Sequence, residues 1–126
     1  MSNAVEKEFK NTPTIVVNSN GSLKIHGVSM SENTVVSYGP VFEWFEEMKV
    51  SKHKELNIEL FFEYLNTSSE IVIIELLKKL KKLELEKNIK SNILWRYEED
   101  DSSIYELGLD LEIASDTKFE FEEIVD

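Results

Sequence analysis

Three groups of side chains in this sequence have the types and spacing to do chemistry, and each points to a different kind. The run Asn66-Thr67-Ser68-Ser69 sets an amide and three hydroxyls side by side. A turn at the C-terminal end of a buried strand is where α/β folds expose functional groups, and such residues are also what a helix start uses to satisfy its free backbone N–H groups. Thr67-Ser68-Ser69-Glu70 fits the capping-box pattern, so the structural use of these hydroxyls stands beside the chemical one. The second group is the carboxylate run Glu98-Glu99-Asp100-Asp101. Four consecutive acids attract cations, but they lack the Asp/Asn alternation and closing bidentate glutamate of a calcium loop, and a helix cap or solvated acidic turn accounts for them better. His26 and His53 form the third group. They fall in different elements with no acid at ligand spacing, which argues against a metal site or a Ser-His-Asp triad and assigns both to the surface.

No glycine-rich phosphate cradle or GK[ST] element is present. Carboxylates are plentiful because the whole chain is acidic, and abundance does not single out a pair for acid–base work. The expectation is therefore no enzyme activity, no cofactor and no metal.

Composition narrows the classes further. With 126 residues and 41% hydrophobic content, the chain suits one domain with one core. A formal charge of −11 opposes binding to nucleic acid or an anionic membrane unless basic residues concentrate somewhere. Lys78, Lys79, Lys81, Lys82, Lys87 and Lys90 do concentrate, but leucines alternate with them and no aromatics interleave. They read as the solvated face of an amphipathic helix, and no nucleic-acid partner is expected. Cysteine is absent, no apolar run is long enough for a membrane span, and the start lacks a signal pattern, so a cytoplasmic protein is expected.

The elements that must position the hydroxyl run follow from periodicity. Leu56, Ile58, Leu60, Phe62 and Tyr64 recur at a spacing of two, which predicts a half-buried strand. Ile73, Leu76, Leu77, Leu80 and Leu83 recur at three and four, which predicts a helix from about Ser68 to Lys87. The hydroxyl run is thus the turn where a central strand hands over to a long helix. Upstream, Thr14 to Asn18 and Leu23 to His26 read as a hairpin about Asn18-Ser19-Asn20-Gly21. Gly27 to Asn33 reads as a loop, and Val35, Val36 and Tyr38 as extended. Pro40 opens a helix carrying Val41, Trp44, Phe45 and Met48 on its apolar face. Downstream, Ser91 to Tyr97 reads as a strand, and the acidic run caps a helix with Ile104, Tyr105 and Leu107 that stops at Gly108. Residues 109–115 are ambiguous, and Lys118 to Ile124 alternates as a last strand. Trp44 and Trp95 fall on core positions. Residues 1–11 are polar and unpatterned, with Ser2-Asn3-Ala4 like an expression-tag remnant, and are expected to be disordered or tag-derived. Helix and strand alternate after residue 40, predicting an α/β domain over residues 12–126: a mixed sheet with an N-terminal antiparallel hairpin and helices mainly on one face.

Several stretches also carry a family likeness. Thr12-Pro13-Thr14-Ile15, Gly21 to Gly27 leading to Ser29 and Glu32-Asn33, Pro40-Val41 with Trp44, Tyr64-Leu65-Asn66-Thr67-Ser68-Ser69, and Trp95 through Asp101 resemble, in collinear order, the SiaC family of bacterial regulatory phosphoproteins. The resemblance implies a STAS-like fold, similar to the anti-sigma-factor antagonists, and a non-enzymatic signalling role. It implies that Thr67 is phosphorylated by a histidine-kinase-like Ser/Thr kinase and dephosphorylated by a PP2C-type phosphatase. It further implies that the unphosphorylated form binds an effector such as a diguanylate cyclase, raising cyclic di-GMP and favouring biofilm formation. On the same basis Asn66, Ser68 and Ser69 shape the partner-binding loop and Ser29, Glu32 and Asn33 form its rim, with Ser68 and Ser69 as further candidate acceptors. The sequence departs from the family pattern at Met30-Ser31 and at Glu86 to Lys90. Two other readings stay open: a constitutive interaction domain in which Thr67 is only a helix N-cap, and a small hydrolase using the carboxylates.

Overall fold

A computed structural model describes residues 11–125. The expectation for the N-terminal tail covers residues 1–11, of which 1–10 lie outside those described; Asn11 is described, and its carbonyl accepts the Met30 N–H at 2.8 Å. Among the described residues nine elements follow one another: β1 (Thr14–Asn18), β2 (Ser22–Ser29), α1 (Thr34–Ser37), α2 (Gly39–Val50), β3 (Glu55–Leu65), α3 (Thr67–Lys87), β4 (Lys90–Glu98), α4 (Ser102–Ser115) and β5 (Glu120–Ile124). The strands lie in chain order in one five-stranded sheet. β1 runs antiparallel to β2, while β2, β3, β4 and β5 are mutually parallel.

This topology decides where the helices go. Each parallel step moves one strand in the same direction, and right-handed crossovers then deliver all the connecting helices to one face. Burial along β3 agrees: Leu56, Ile58, Leu60 and Phe62 are buried against the helices, and Asn57 is exposed on the other side. The mixed α/β sheet with its entry hairpin and one covered face is as the alternation predicts. Parallel sheets are usually covered on both faces, and this one tolerates water by making its open face polar. Across β2 to β5 runs a row of paired polar side chains, His26 to Glu59 at 2.6 Å, Glu59 to Arg96 at 3.5 Å and Arg96 to Glu122 at 2.7 Å. His26 is therefore a half-buried partner of Glu59 rather than a free surface residue, because its strand neighbour supplies the acid that linear spacing hides. His53 is likewise half-buried and bonded to the Ser19 carbonyl at 2.6 Å.

Three local expectations need correcting. Val35 and Val36 are not extended: Asn33 caps a single helical turn, its Oδ1 accepting the Val36 N–H at 3.3 Å. Gly108 does not stop α4. It lies inside the helix because a Cβ there would come within 2.5 Å of the Trp95 indole nitrogen. The helix stops at Asp116, whose φ of 56° breaks the helical path, as Asn88 does after α3 with φ of 54°. Tyr64 does not continue the inward phase of β3. Gly27 pairs with Phe62 and Val28 with Tyr64, so Glu63 is an extra residue, and this bulge turns Leu65 inward and Tyr64 outward.

Candidate functional site

The bulge re-aims the end of β3, and the chain then enters α3 through Asn66. Asn66 is the cap: its Oδ1 accepts the Ser69 N–H at 2.9 Å, and its backbone carbonyl accepts the Glu70 N–H at 3.0 Å. Its own N–H donates to the Ser29 carbonyl at 3.0 Å, which ties the helix start to the end of β2. The capping box expected from Thr67 to Glu70 is thus shifted by one residue. An asparagine in extended conformation (φ −84°, ψ 173°) can cap directly, and this leaves Thr67 as the first residue inside the helix.

Beneath the cap lies a chain of buried hydroxyls. Ser69 Oγ donates to the Ser29 carbonyl at 2.9 Å, which uses its single proton. Ser29 Oγ must then donate to Ser69 Oγ at 2.6 Å, and the Tyr38 phenol must donate to Ser29 Oγ at 2.7 Å. All three residues are fully buried. Burial pushes the Tyr38 phenol up to about 12 against the lowering effect of its hydrogen bonds to Ser29 and Ser69, so it stays a proton donor at neutral pH. Every hydroxyl proton in the chain has an acceptor, and the relay clamps β2, the α1–α2 corner and α3 together.

Thr67 is the exception to this economy. It is exposed at the first helical position, and its hydroxyl makes no hydrogen bond among the described residues. Ser68 is exposed beside it. Ser69 and Ser29, expected on the partner surface, are inside the relay and present no atom to a partner; the parallel register that places Ser29 against Leu65 draws them in. Glu32 and Asn33 are exposed on the loop before α1. Tyr38 is the member that periodicity missed, although a buried phenol always needs a partner and that need is a usable signal.

The surroundings of Thr67 are acidic. Glu63, Tyr64, Leu65 and Glu70 line a groove of about 450 Å³ whose opposite wall is α4, with Asp101, Glu106 and Asp110. Along α3 the first basic residue is Lys78, about 16 Å from Thr67 at the helical rise. Asp101 caps α4, its Oδ1 accepting the Ile104 N–H at 3.1 Å, which gives the acidic run a structural use. Among the described residues no three His, Asp or Glu side chains cluster in a way that could hold a metal ion.

The chain is a single α/β domain with one open sheet face and an unbonded threonine where its central strand meets a helix. The particular kind is given by a family model. The chain belongs to the SiaC family of regulatory phosphoproteins, whose model matches residues 6–124. Solved structures agree. The chain is 25% identical to SiaC of Pseudomonas aeruginosa in a crystal structure of the diguanylate cyclase SiaD in complex with SiaC, its activator, with a TM-score of 0.80 over 93% of this chain and 94% of that one. Against another structure of SiaC from P. aeruginosa the TM-score is 0.77 at 25% identity, covering 93% of both chains. The uncharacterized protein PA14_02130 of P. aeruginosa (strain UCBPP-PA14) is 28% identical over 101 residues, which span 80% of this chain and 78% of that protein. The α/β mixed sheet matches these structures and is compatible with the STAS-like description. Among the described residues no helix is long and apolar enough to cross a membrane.

Proposed function

We propose that this chain is a cytoplasmic, non-enzymatic switch in which Thr67 is reversibly phosphorylated and the unphosphorylated form binds and activates an effector enzyme, a diguanylate cyclase. The observation that carries it is the division of labour at the helix start: Asn66 does the capping, and Thr67, exposed and unbonded, has no structural task to lose. A kinase of the histidine-kinase-like Ser/Thr type would add the phosphate and a PP2C-type phosphatase remove it. The activator role of SiaC in the cyclase complex supports the choice of effector. The same division of labour disfavours a constitutive domain whose Thr67 is only an N-cap.

The chemistry suits the position. A phosphate of about −1.5 to −2 charge would sit where free helix N–H groups and the macrodipole favour anions. It would also stand beside Glu63 and Glu70, so its effect falls on whatever docks over the helix start. Glu32, Asn33 and Ser68 would border that docking site, held in position from below by Ser29, Asn66 and Ser69. Incubation with the cognate kinase and ATP should add one phosphate, located at Thr67 by mass spectrometry, and Thr67→Ala should abolish it. Modification at Ser68 instead, or retention of the phosphate in Thr67→Ala, would overturn the assignment.

A further inference from the structure

The two edges of the sheet are made of opposite materials. β5, at one edge, reads Glu120-Phe121-Glu122-Glu123-Ile124, and its three carboxylates are the kind of charge that keeps an edge strand from pairing with another chain. β1, at the other edge, reads Thr14-Ile15-Val16-Val17-Asn18 and carries no charge. The bare stretch is longer than the strand: no residue from Asn11 to Leu23 is charged, in a chain of which 31% is Asp, Glu, Lys or Arg. Val16 and Val17 are 53% and 41% exposed. β1 bonds β2 on one side only, and an antiparallel ladder uses alternate residues, so every second N–H and C=O of β1 faces outward. The free edge is bounded at both ends. Pro13 precedes it, and at its close the Asn18 carbonyl accepts the Trp44 Nε1–H at 3.0 Å and the Gly21 N–H at 3.1 Å.

We infer that this edge pairs antiparallel with the same edge of a second copy of the chain, joining the two sheets into one about a two-fold axis at Val16. The axis sets Val16 against Val16 of the second copy and Ile15 against its Val17. Backbone chemistry selects a strand, because an extended segment is what satisfies a row of outward amides and carbonyls. Self-complementarity selects the copy. Turned on itself about Val16, β1 matches β-branched side chains with β-branched side chains on both faces of the ladder and brings no like charges together. β5 fails the same test: turned about Glu122, it sets Glu122 against Glu122 of the second copy. Nor does β1 hold a cation to meet the β5 glutamates, so like edges close into a dimer in preference to head-to-tail chains. The inference stands apart from the reading of Thr67, because β2 separates this edge from the strand that leads to Thr67.

The test is sedimentation of the full ¹⁵N-labelled chain from about 1 µM to about 1 mM, the span over which weak association registers. The mass should rise from one chain toward two, and the amide shifts of Ile15, Val16 and Val17 should follow that rise. Val16→Lys and Val16→Glu should each weaken association about tenfold by setting like charges face to face at the axis. An equimolar mixture of the two variants should recover it. Recovery requires that position 16 meets itself across the interface, and a role of Val16 in folding alone would not produce it. The side chain is more than half exposed, so both variants should keep the fold, which their melting temperatures check. A chain that stays monomeric at the highest concentration, association undiminished by Val16→Lys, or a mixture no tighter than its components would overturn the inference. So would concentration-dependent shifts centred on β5, or nuclear Overhauser contacts from residues 1–10 to β1 at the lowest concentration, which would put the chain's own N-terminal segment on this edge.

Discussion

Asn66 and Thr67 are adjacent, similar in polarity and opposite in role, and stability measurements should separate them. Removing the cap leaves the Ser69 N–H without its acceptor, so Asn66→Ala should cost about 1 kcal/mol. Thr67→Ala removes a side chain that bonds nothing, and surface changes of this kind stay within about 0.5 kcal/mol. Urea denaturation of both variants gives the comparison, and equal losses would mean that Thr67 shares the capping. The hydroxyl relay makes a second prediction. Ser69→Ala deprives the Ser29 Oγ proton of its acceptor in a buried site, which should cost about 1–3 kcal/mol. Tyr38 adds a pH signature. Its folded value of about 12 lies above the 10.0 of an unperturbed phenol. The unfolded chain therefore releases this proton first, and the associated stability is complete below pH 10 and lost as pH rises toward 12. Tyr38→Phe should be less stable at neutral pH and show a shallower alkaline decline, measurable as melting temperature against pH. At this scale the sequence made the hydroxyl run visible but not its division of labour. Which of four neighbouring polar residues caps a helix depends on where the strand releases the chain, and that is set by the bulge at Glu63.

Elements were legible where periodicity was long and illegible where a single contact decided. The β3 and α3 patterns span many residues and predict both elements nearly to their ends. Gly108 shows the opposite case. A glycine after Leu107 carries the same local signal whether it ends a helix or lets one pass close to a ring, and only the Trp95 indole on the neighbouring strand distinguishes them. That contact makes a prediction. Gly108→Ala would gain helix propensity of just under 1 kcal/mol, but its methyl would sit 2.5 to 2.7 Å from three atoms of a fully buried indole whose Nε1 also donates to the Ile104 carbonyl. Trp95 cannot yield without breaking that bond or its stack on Phe119, 5.7 Å away. Overpacking should win, with a net destabilisation of about 1–3 kcal/mol by thermal denaturation. α1 escaped notice for a related reason. Two valines favour extended structure, and the turn forms because Asn33 caps it and Tyr38 is held at its end by Ser29.

At the scale of the whole molecule, the alternation of strand and helix after residue 40 carried the architecture, since neighbouring parallel strands with one crossover hand allow only one covered face. What the sequence could not reveal is how little α3 and the open sheet face, among the described residues, have available to answer a phosphate at Thr67. Along α3 the first lysine is Lys78, and Arg96 is occupied between Glu59 and Glu122 on the open face. An intramolecular switch would require a cation to move to the phosphate or the phosphate to break a structural bond, and Thr67 has none to break. The modified chain should therefore keep its fold. Its melting temperature should stay within about 3 °C of the unmodified chain, corresponding to about 0.8 kcal/mol for a domain of this size. Backbone amide shifts should be confined to the start of α3, α1 and the loop between β2 and α1. Loss of partner binding without a change in fold would place the regulation at whatever surface docks over the helix start. A melting shift of ten degrees, or amide changes that spread through β4 and α4, would instead require two conformations of the domain, and the rigid hydroxyl relay under Asn66 would have to be one of the parts that rearranges.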